Sequence, residues 1–333
     1  MTPVNPEPIM RLAAGFMAAK HLFAASELGI FEALADAPAT LDALAARTGL
    51  TRRATRISAD AMVALDLLER DGGAYRNSAV AAAFLAGGPS AVGDLRPFLR
   101  FWDKISFPAW EGLADALGHG PSTQVFDLKP DQQEIVSSGI EAILAGPAAA
   151  LAGRPELAGR RRLLDIGGGT GSWSLAAAAR NPGLTATVLD LPVTADIARE
   201  RVGRSAGSDG VDGRVDVVAG DALADPLPAG YDCFLVANLV HYWSPEHNIE
   251  LLGRVRAVAE PGATLLLADF WTGPDHTEPL MAALMAGEFA VHLAEGDVYS
   301  VDEVRTWLGT TGWRFVEHAP LAGPQSLIVA AAR

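Results

Sequence analysis

The chain has 333 residues, half of them hydrophobic, and a formal net charge of −14. That length allows two domains, each with its own core. The acidic balance argues against a nucleic-acid partner or an anionic membrane, because both call for a basic surface. A single cysteine, Cys233, rules out an internal disulfide and a cysteine-rich metal cluster. The sequence shows neither a signal peptide nor an apolar run near the ~20 residues of a membrane span, so we expect a soluble, cytoplasmic protein.

Residues 1–100 are helical and rich in Ala and Leu. The spacing of apolar residues predicts helices over 9–34 (with a break near Gly29), 41–47 and 51–68. Thr51 is a good N-cap for the third helix. Asp71-Gly72-Gly73 then predicts a hairpin turn between short extended pieces. Helices followed by a hairpin indicate a winged-helix unit.

Two uses of that unit are open. Three arginines lie where a DNA-reading helix would begin: Arg52, Arg53 and Arg56. The alternative is a winged helix that packs against a second copy of the chain. The acidic charge favours the second use, and helices this apolar are not expected to stay exposed on a soluble monomer.

Residues 101–155 are predicted to form a helical connector. An aromatic cluster begins just before it and continues into it: Phe98, Phe101, Trp102, Phe107 and Trp110. Aromatic residues at these spacings either pack in a core or line an apolar substrate pocket. We assign Phe101, Trp102 and Trp110 to such a pocket.

From residue 161 onward, apolar runs alternate with helix-forming runs, which predicts a sheet covered by helices. The predicted strands are 162–166, 185–190, 215–219, 232–238, 263–270, 313–319 and 325–332. The segment between the last two strands, 320–325, is too short for a crossover helix. The final strand must therefore run antiparallel to its neighbour.

The sequence L-L-D-I-G-G-G-T-G at 163–171 joins the first of these strands to a helix. Gly167, Gly169 and Gly171 give a G-x-G-x-G spacing, and Ser172 stands where the dinucleotide fingerprint needs a glycine. S-adenosylmethionine (SAM) is therefore favoured over a dinucleotide. Asp190 ends the second strand, where a carboxylate can accept both ribose hydroxyls.

Ligands bind such sheets outside the carboxyl ends of the strands. The residues there that we assign to the cofactor are Asp165, Gly167, Gly169, Asp190, Leu191, Gly220, Asp221, Ala222 and Asn238. Asp221 can accept the adenine amino group, or it can serve as the N-cap of the next helix.

His241 follows the fourth strand at the same edge of the sheet. Methylating a hydroxyl near neutral pH needs a base, and histidine titrates in that range. Asp269 and Glu303 are later carboxylates that can orient or charge-pair this imidazole. Glu303 can also be an ordinary first-turn acid of a helix.

The chain resembles bacterial members of the small-molecule O-methyltransferase family, which includes plant caffeate and hydroxyneurosporene methyltransferases. The motifs that carry the resemblance are the glycine turn, V-L-D-L-P at 188–192, G-D at 220–221, H-Y-W-S-P-E-H-N at 241–248 and G-D-V-Y-S at 296–300. The resemblance implies a winged-helix dimerisation domain over 1–100, the connector over 101–155 and a SAM-binding domain over 156–333. Its fold would be the class I α/β sheet of seven strands with the last antiparallel. It also implies a homodimer, with His241 as base flanked by Asp269 and Glu303.

Two departures from the family pattern affect the chemistry. Many relatives have an acid directly after the histidine, where this chain has Tyr242. His292 is the second, and it lies in a lid-like segment, 281–299. Together with Trp243, this segment supplies the remaining predicted pocket residues: Met281, Met285, Phe289 and His292.

The sequence therefore predicts a SAM-dependent methyltransferase acting on a phenolic or similar hydroxyl of a small, largely apolar secondary metabolite, without a metal. One alternative is methylation at carbon of an enolisable keto acid, with a metal held by His241 and His292. A winged-helix regulator that senses a nucleotide-like ligand is the other.

Overall fold

The computed structural model describes residues 4–88, 91–121, 129–205, 211 and 213–333, without the side chains of residues 130 and 131. Its internal contacts divide the chain into two compact units. Unit 1 comprises the described residues of 1–108 and 129–143, and unit 2 comprises those of 109–128 and 144–333. The predicted connector is thus shared between the units, and residues 122–128 of it lie outside the described residues.

Unit 1 is mainly helical. Its helices are α1 (Glu7–Glu27), α2 (Leu41–Thr48), α3 (Arg52–Ala64), α4 (Ala79–Phe84) and α5 (Arg96–Phe101), and a π-helical turn over Trp102–Ser106 follows. Three short antiparallel strands, β1 (Ala39–Thr40), β2 (Leu68–Asp71) and β3 (Ala74–Asn77), form a sheet in the order β1-β3-β2. The two-residue strand β1 was not predicted, because two residues give no alternating pattern.

Local chemistry explains the boundaries of these elements. The Thr51 hydroxyl accepts a hydrogen bond from the Ala54 amide at 3.2 Å and caps α3 as predicted. The helix ends earlier than predicted, because Asp66 adopts a left-handed φ of 57° and the chain then turns into β2. Gly72 and Gly73, with φ of 55° and 85°, make the predicted hairpin turn between β2 and β3.

The winged-helix core of unit 1 contrasts with the outer face of its first helix. The core includes Phe31, Leu44, Met62 and Tyr75, all fully buried. Several large apolar side chains of α1 are instead exposed: Ile9, Met10, Leu12, Phe16 and Met17. This chain alone therefore leaves an apolar stripe of α1 uncovered.

Unit 2 is built on a sheet of seven strands. They are β4 (Arg162–Ile166), β5 (Thr185–Asp190), β6 (Val215–Ala219), β7 (Cys233–Ala237), β8 (Thr264–Asp269), β9 (Trp313–Pro320) and β10 (Ser326–Ala332). Their order is β6-β5-β4-β7-β8-β10-β9. Strand β10 runs antiparallel to both β8 and β9, while the neighbouring pairs from β6 to β8 are parallel. This confirms the predicted fold class and the antiparallel last strand.

Helices connect and cover these strands. Two short helices precede the sheet, α6 (Phe107–Trp110) at the boundary of the units and α7 (Leu113–His119). The others in unit 2 are α9 (Ser172–Arg180), α10 (Pro192–Ser205), α11 (Pro245–Val258), α12 (Leu280–His292) and α13 (Val301–Thr310). Every residue of β7 and β8 is buried, as expected for central parallel strands covered on both faces. Because β4, β5, β7 and β8 run parallel to one another, their carboxyl ends share one edge of the sheet.

Helix α8 (Pro130–Ala152) extends from unit 1 into unit 2. By length and composition alone, its segment Gln132–Ala152 could cross a membrane, which the sequence analysis did not anticipate. The core helix of a water-soluble protein meets the same criterion. Leu151 and Ala152 near the end of α8 are buried, and the Ala152 carbonyl accepts a hydrogen bond from Nδ2 of Asn181.

Candidate active site

The glycine turn after β4 requires glycine for two separate reasons. Gly167, Gly169 and Gly171 have φ of 65°, 58° and 82°, a region that favours residues without a Cβ. A Cβ on Gly168 would come within 2.7 Å of the Asp165 carboxyl carbon. The turn therefore closes directly over Asp165, and Gly169 keeps open space beside it.

Asp165 is fully buried beneath this turn. Burial raises the pKa of Asp165 to about 7, and the negative charge of Asp190 adds to the rise. A hydrogen bond donated by the Ser174 hydroxyl at 2.7 Å opposes it. The second carboxyl oxygen, Oδ1, is buried and accepts no hydrogen bond from the described residues. Asp165 is thus a buried acceptor with unused capacity.

We expect Asp165 to make the stability of the protein depend on pH in the absence of cofactor. Because its pKa is higher in the folded chain than in the unfolded one, ionising it costs stability as pH rises from about 4 to about 7. Asp165→Asn should remove that cost, up to about 4 kcal/mol at pH 8 and little at pH 4. Urea unfolding of both proteins across this range tests it. A difference in unfolding free energy that does not change with pH would contradict the prediction.

Asp190 lies at the end of β5, next to the same turn. Its Oδ2 accepts a hydrogen bond from the Gly169 amide at 2.8 Å, and its Oδ1 accepts one from the Leu191 amide at 2.8 Å. Burial raises the pKa of this carboxyl, while the two backbone hydrogen bonds act in the opposite direction. Asp190 thereby ties the glycine turn to the end of the second strand.

The third predicted segment, Gly220-Asp221-Ala222, follows β6. The Gly220 amide donates to the Asp190 carbonyl at 2.9 Å, which links this segment to β5. The Asp221 carboxylate accepts hydrogen bonds from the amides of Leu223 and Ala224. Asp221 therefore caps a turn here. This role is similar to the helix cap that the sequence analysis gave as its alternative.

Asn238 follows β7 and adopts a left-handed φ of 52°. Its side-chain oxygen accepts a hydrogen bond from Gln325 Nε2 at 2.6 Å. Its Nδ2 is buried and, within the described residues, donates to no acceptor. The sequence analysis did not identify Gln325, which only the antiparallel return of β10 brings beside Asn238.

These residues fit SAM. The buried acceptor below the glycine turn suits the ammonium group of an amino-acid end, the unused buried donor of Asn238 suits its carboxylate, and there is open space at Gly169.

His241 lies in a one-turn helix, Val240–Tyr242, directly after β7. Its Nδ1 is 2.7 Å from Oδ1 of Asp269, the last residue of the adjacent strand β8. Both residues are buried. Since an ionised carboxylate only accepts hydrogen bonds, Nδ1 carries the proton and Nε2 keeps a lone pair. The structure thus brings together two of the three predicted catalytic residues.

The third, Glu303, makes its described contacts elsewhere. Its carboxylate accepts hydrogen bonds from the amide and hydroxyl of Ser300 in a capping box at the start of α13. Its Oε2 also lies 3.3 Å from Nε2 of His276. These contacts match the alternative interpretation of Glu303 as a first-turn acid.

Two residues that the sequence analysis missed hold the His241 loop. The Asn248 side chain donates to the carbonyls of Val240, Trp243 and Ser244 at 2.9–3.1 Å. Gly296, with a φ of 120°, packs so closely that a Cβ would come within 2.2 Å of the His241 carbonyl oxygen. The predicted pocket residue Trp243 is partly buried against the core, and its carbonyl also accepts from Tyr299.

Gly296→Ala should displace the His241 loop. Its Cβ would overlap the backbone of His241 and Tyr242 in a conformation that alanine disfavours. We expect a loss of roughly 1–3 kcal/mol in unfolding free energy and a clear loss of turnover. Gly309→Ala in α13 is the control, because its Cβ meets nothing within 4 Å, and it should be neutral or slightly stabilising. Thermal unfolding and turnover of both variants check this, and a wild-type-like Gly296→Ala would contradict it.

Aromatic rings surround the His241 imidazole. The Phe289 ring stacks on it, with centroids 3.8 Å apart and planes within 6°. The Tyr242 ring stacks with its centroid 4.8 Å from that of His241, and burial raises the pKa of its hydroxyl to about 12. Phe289 also packs with Phe270 and Met285 in one apolar cluster. The imidazole thus lies in a dry, aromatic environment.

The remaining predicted pocket residues are divided between the units. Met281 is half exposed at the start of α12. Trp110 and His292, both in unit 2, converge on the buried carboxylate of Glu288, which the sequence analysis did not identify. Phe101 and Trp102 belong to unit 1, where they pack against Phe98.

No cluster of three or more His, Cys, Asp or Glu side chains able to hold a metal occurs among the described residues. The two histidines of the metal alternative each face a carboxylate of their own: Asp269 for His241 and Glu288 for His292.

The fold and site together define a class I SAM-dependent methyltransferase. Comparison with known proteins gives its family. Residues 128–314 match the family model of the O-methyltransferase domain, and residues 10–87 match that of the O-methyltransferase dimerisation domain. The chain belongs to the SAM-dependent O-methyltransferase family. This confirms the predicted family, enzyme class and cofactor.

Among the relatives is the 3-hydroxy-5-methyl-1-naphthoate 3-O-methyltransferase of Streptomyces sahachiroi, 33% identical over 96% of this chain and 92% of that protein. The N,N-dimethyltransferase OxyT of Streptomyces rimosus is 30% identical over 94% of this chain and 93% of that protein. A solved structure described as PigF with SAH aligns with a TM-score of 0.82 and 26% identity, covering 99% of this chain and all (100%) of that chain. Relatives this similar therefore include an enzyme named for nitrogen and one named for oxygen.

Proposed function

We propose that this enzyme methylates a phenolic hydroxyl of a small, largely apolar aromatic metabolite, with His241 as the general base. The hydrogen bond between His241 Nδ1 and Asp269 carries the proposal. A buried imidazole held in one tautomer by a buried carboxylate is the arrangement that a positioned base needs. It also supplies the acid that Tyr242 does not.

In this mechanism SAM supplies an electrophilic methyl group on a cationic sulfur. His241 Nε2 accepts the hydroxyl proton of the substrate as the oxygen becomes nucleophilic. Asp269 keeps the proton on Nδ1 and stabilises the imidazolium that forms. Phe289, Tyr242 and Phe270 exclude water around the imidazole, which strengthens these electrostatic interactions. We assign Glu303 to the helix cap and not to this step.

The cofactor would be held by the residues that line the carboxyl ends of β4 to β7. We assign Asp190 and Leu191 to the ribose, Asp221 and Ala222 to the adenine, and Asp165 with the glycine turn and Asn238 to the amino-acid end. Support comes from the open turn and from the orphan polar atoms of Asp165 and Asn238.

An aromatic substrate fits the apolar groups around His241, and a hydroxynaphthoate is the substrate named for a relative that is 33% identical. The test is incubation with methyl-labelled SAM and a panel of hydroxynaphthoates, naphthols and anilines of similar size. We expect label on the oxygen of hydroxylated members. Label only on carbon or nitrogen would overturn the oxygen assignment, while no SAM binding would overturn the cofactor assignment.

Carbon methylation with a metal is the second candidate, and the positions of the two histidines support it less well. It would need His241 and His292 to share an ion, yet each imidazole already faces a buried carboxylate. The geometry therefore favours the base.

We also propose that the enzyme acts as a cytoplasmic homodimer through unit 1. The match to a dimerisation domain and the uncovered apolar stripe of α1 support it. We expect sedimentation to give twice the chain mass. Replacing Leu12 and Phe16 by Glu should yield monomers, whereas Glu at exposed Val92 should not. A wild-type monomer would contradict the proposal. The acidic charge gives no reason to add a nucleic-acid or membrane partner.

A further inference from the structure

Helix α12 contains one buried carboxylate in an otherwise apolar segment. Glu288 is only 4% exposed, although its helix consists almost entirely of Leu, Met, Ala, Val and Phe. One carboxyl oxygen accepts a hydrogen bond from the Trp110 indole N–H, and the other lies 3.2 Å from His292 Nε2. Burying a carboxylate costs considerable free energy unless it is paired, so the pair calls for a role.

The surroundings of Glu288 are built closely. A Cβ on the preceding residue, Gly287, would come within 2.7 Å of the Trp110 ring. Trp110 therefore packs directly on α12, and its N–H reaches Glu288 because residue 287 is a glycine. This packing holds the carboxylate in place beside the imidazole of His292, one helical turn later.

The helix places this pair beside the proposed catalytic base. Residues three and four apart lie on the same face of a helix. His292 is three residues after Phe289, whose ring stacks on the His241 imidazole, and four residues after Glu288. His292 therefore stands between the carboxylate and the side of α12 that faces His241, and its side chain is 14% exposed.

The charge of this pair determines which ligand it can bind. His292 Nε2 is buried and makes no hydrogen bond within the described residues. When that nitrogen carries a proton it is an N–H donor that a ligand can use. Such a donor in an apolar site binds an acceptor oxygen strongly and discriminates against a ligand that lacks one.

We propose that His292, positioned by Glu288 and Trp110, binds an acceptor oxygen of the substrate and so selects aromatic substrates with a second oxygen function besides the hydroxyl that is methylated. That second function is a carbonyl, a carboxylate or a phenolate. This inference rests on the proposed function, because it assumes that the substrate binds beside His241.

The test is a binding experiment on the full-length protein saturated with S-adenosylhomocysteine. Two probes differ in the acceptor alone: a hydroxynaphthoate and the corresponding naphthol without the carboxylate. We expect the wild-type protein to prefer the hydroxynaphthoate by about tenfold or more, the effect of one charge-assisted hydrogen bond. In Glu288→Gln and His292→Gln the preference should fall to about threefold or less. Trp110→Phe, which keeps the ring but removes the donor, should fall between.

The matched control is the half-exposed pair His247 and Glu295, whose atoms lie 3.0 Å apart. His247→Gln should keep the full preference. A preference that survives Glu288→Gln and His292→Gln would overturn the inference, as would a wild-type protein that shows no preference or binds neither probe. S-adenosylhomocysteine binding, measured in the same titrations, separates this outcome from a failure of the proposed function. A wild-type protein that does not bind S-adenosylhomocysteine would contradict the proposed function itself.

Discussion

Replacing His241 with Asn is expected to lower turnover by about 10²–10⁴, the usual effect of losing a positioned base. The imidazole is the group whose lone pair is left free by the hydrogen bond to Asp269. Asp269→Asn should cost up to about 10⁴, because an amide can donate to Nδ1 and so favour the tautomer in which Nε2 carries the proton, while leaving the ring in place. Single-turnover rates with saturating SAM measure both effects on the chemical step.

The controls separate a base from a structural histidine. SAM affinity, measured by calorimetry, should be nearly unchanged in His241→Asn. His276→Asn removes a histidine that also pairs with a carboxylate but should leave turnover intact. Glu303→Gln should cost about 1 kcal/mol of stability as a weakened helix cap with little effect on turnover. A Glu303→Gln variant as inactive as His241→Asn would restore Glu303 to the catalytic set.

The same variants decide between oxygen and carbon chemistry. If a chelator inactivates the wild-type enzyme, iron or zinc restores it, and His241→Asn and His292→Gln lose activity together, the two imidazoles are metal ligands. With His241 as a base, the chelator has no effect and the His292 variant changes substrate preference more than turnover.

The central strands of the sheet could be predicted from the sequence because they are buried on both faces. Segments such as Cys233–Ala237 and Thr264–Asp269 are continuous apolar runs bounded by turn residues. The short 320–325 connection forces the antiparallel return. Helix boundaries that depend on one unusual backbone angle were harder to predict. At Asp66, a residue with left-handed φ ends α3 before the apolar pattern stops.

The residues proposed to bind the cofactor could be picked out from the sequence because each lies at or just after the end of a strand. Asp165, Asp190 and Asn238 share the same edge once the strand order is known. Contacts between distant segments could not be predicted in this way. Glu288 meets Trp110 across 178 positions of sequence, and Gly296 meets the backbone of His241. The one available signal for Glu288 was an acid within an apolar helix.

Asp190→Ala is expected to weaken SAM binding at least tenfold, and by about 10²–10⁴ if both ribose hydrogen bonds are lost, since each is worth roughly 1.5–3 kcal/mol to a charged acceptor. The carboxylate also accepts from the Gly169 and Leu191 amides, so its removal frees the glycine turn as well. Calorimetric titration with SAM measures the change, and circular dichroism checks that the fold survives.

The Asn variant distinguishes the two roles of Asp190. Asp190→Asn keeps one carbonyl oxygen for the Gly169 amide but presents an NH₂ group where the second oxygen was, so its affinity should lie between those of the wild type and Asp190→Ala. Asp196→Ala, an exposed acid of α10 paired with Arg199, should bind SAM like the wild type. If Asp190→Ala binds SAM normally, the cofactor does not use the end of β5. In that case the glycine turn, whose open space at Gly169 borders this carboxylate, would have to hold the cofactor in some other way. The Asp165→Asn variant would then show whether the buried acid below the turn is the anchor instead.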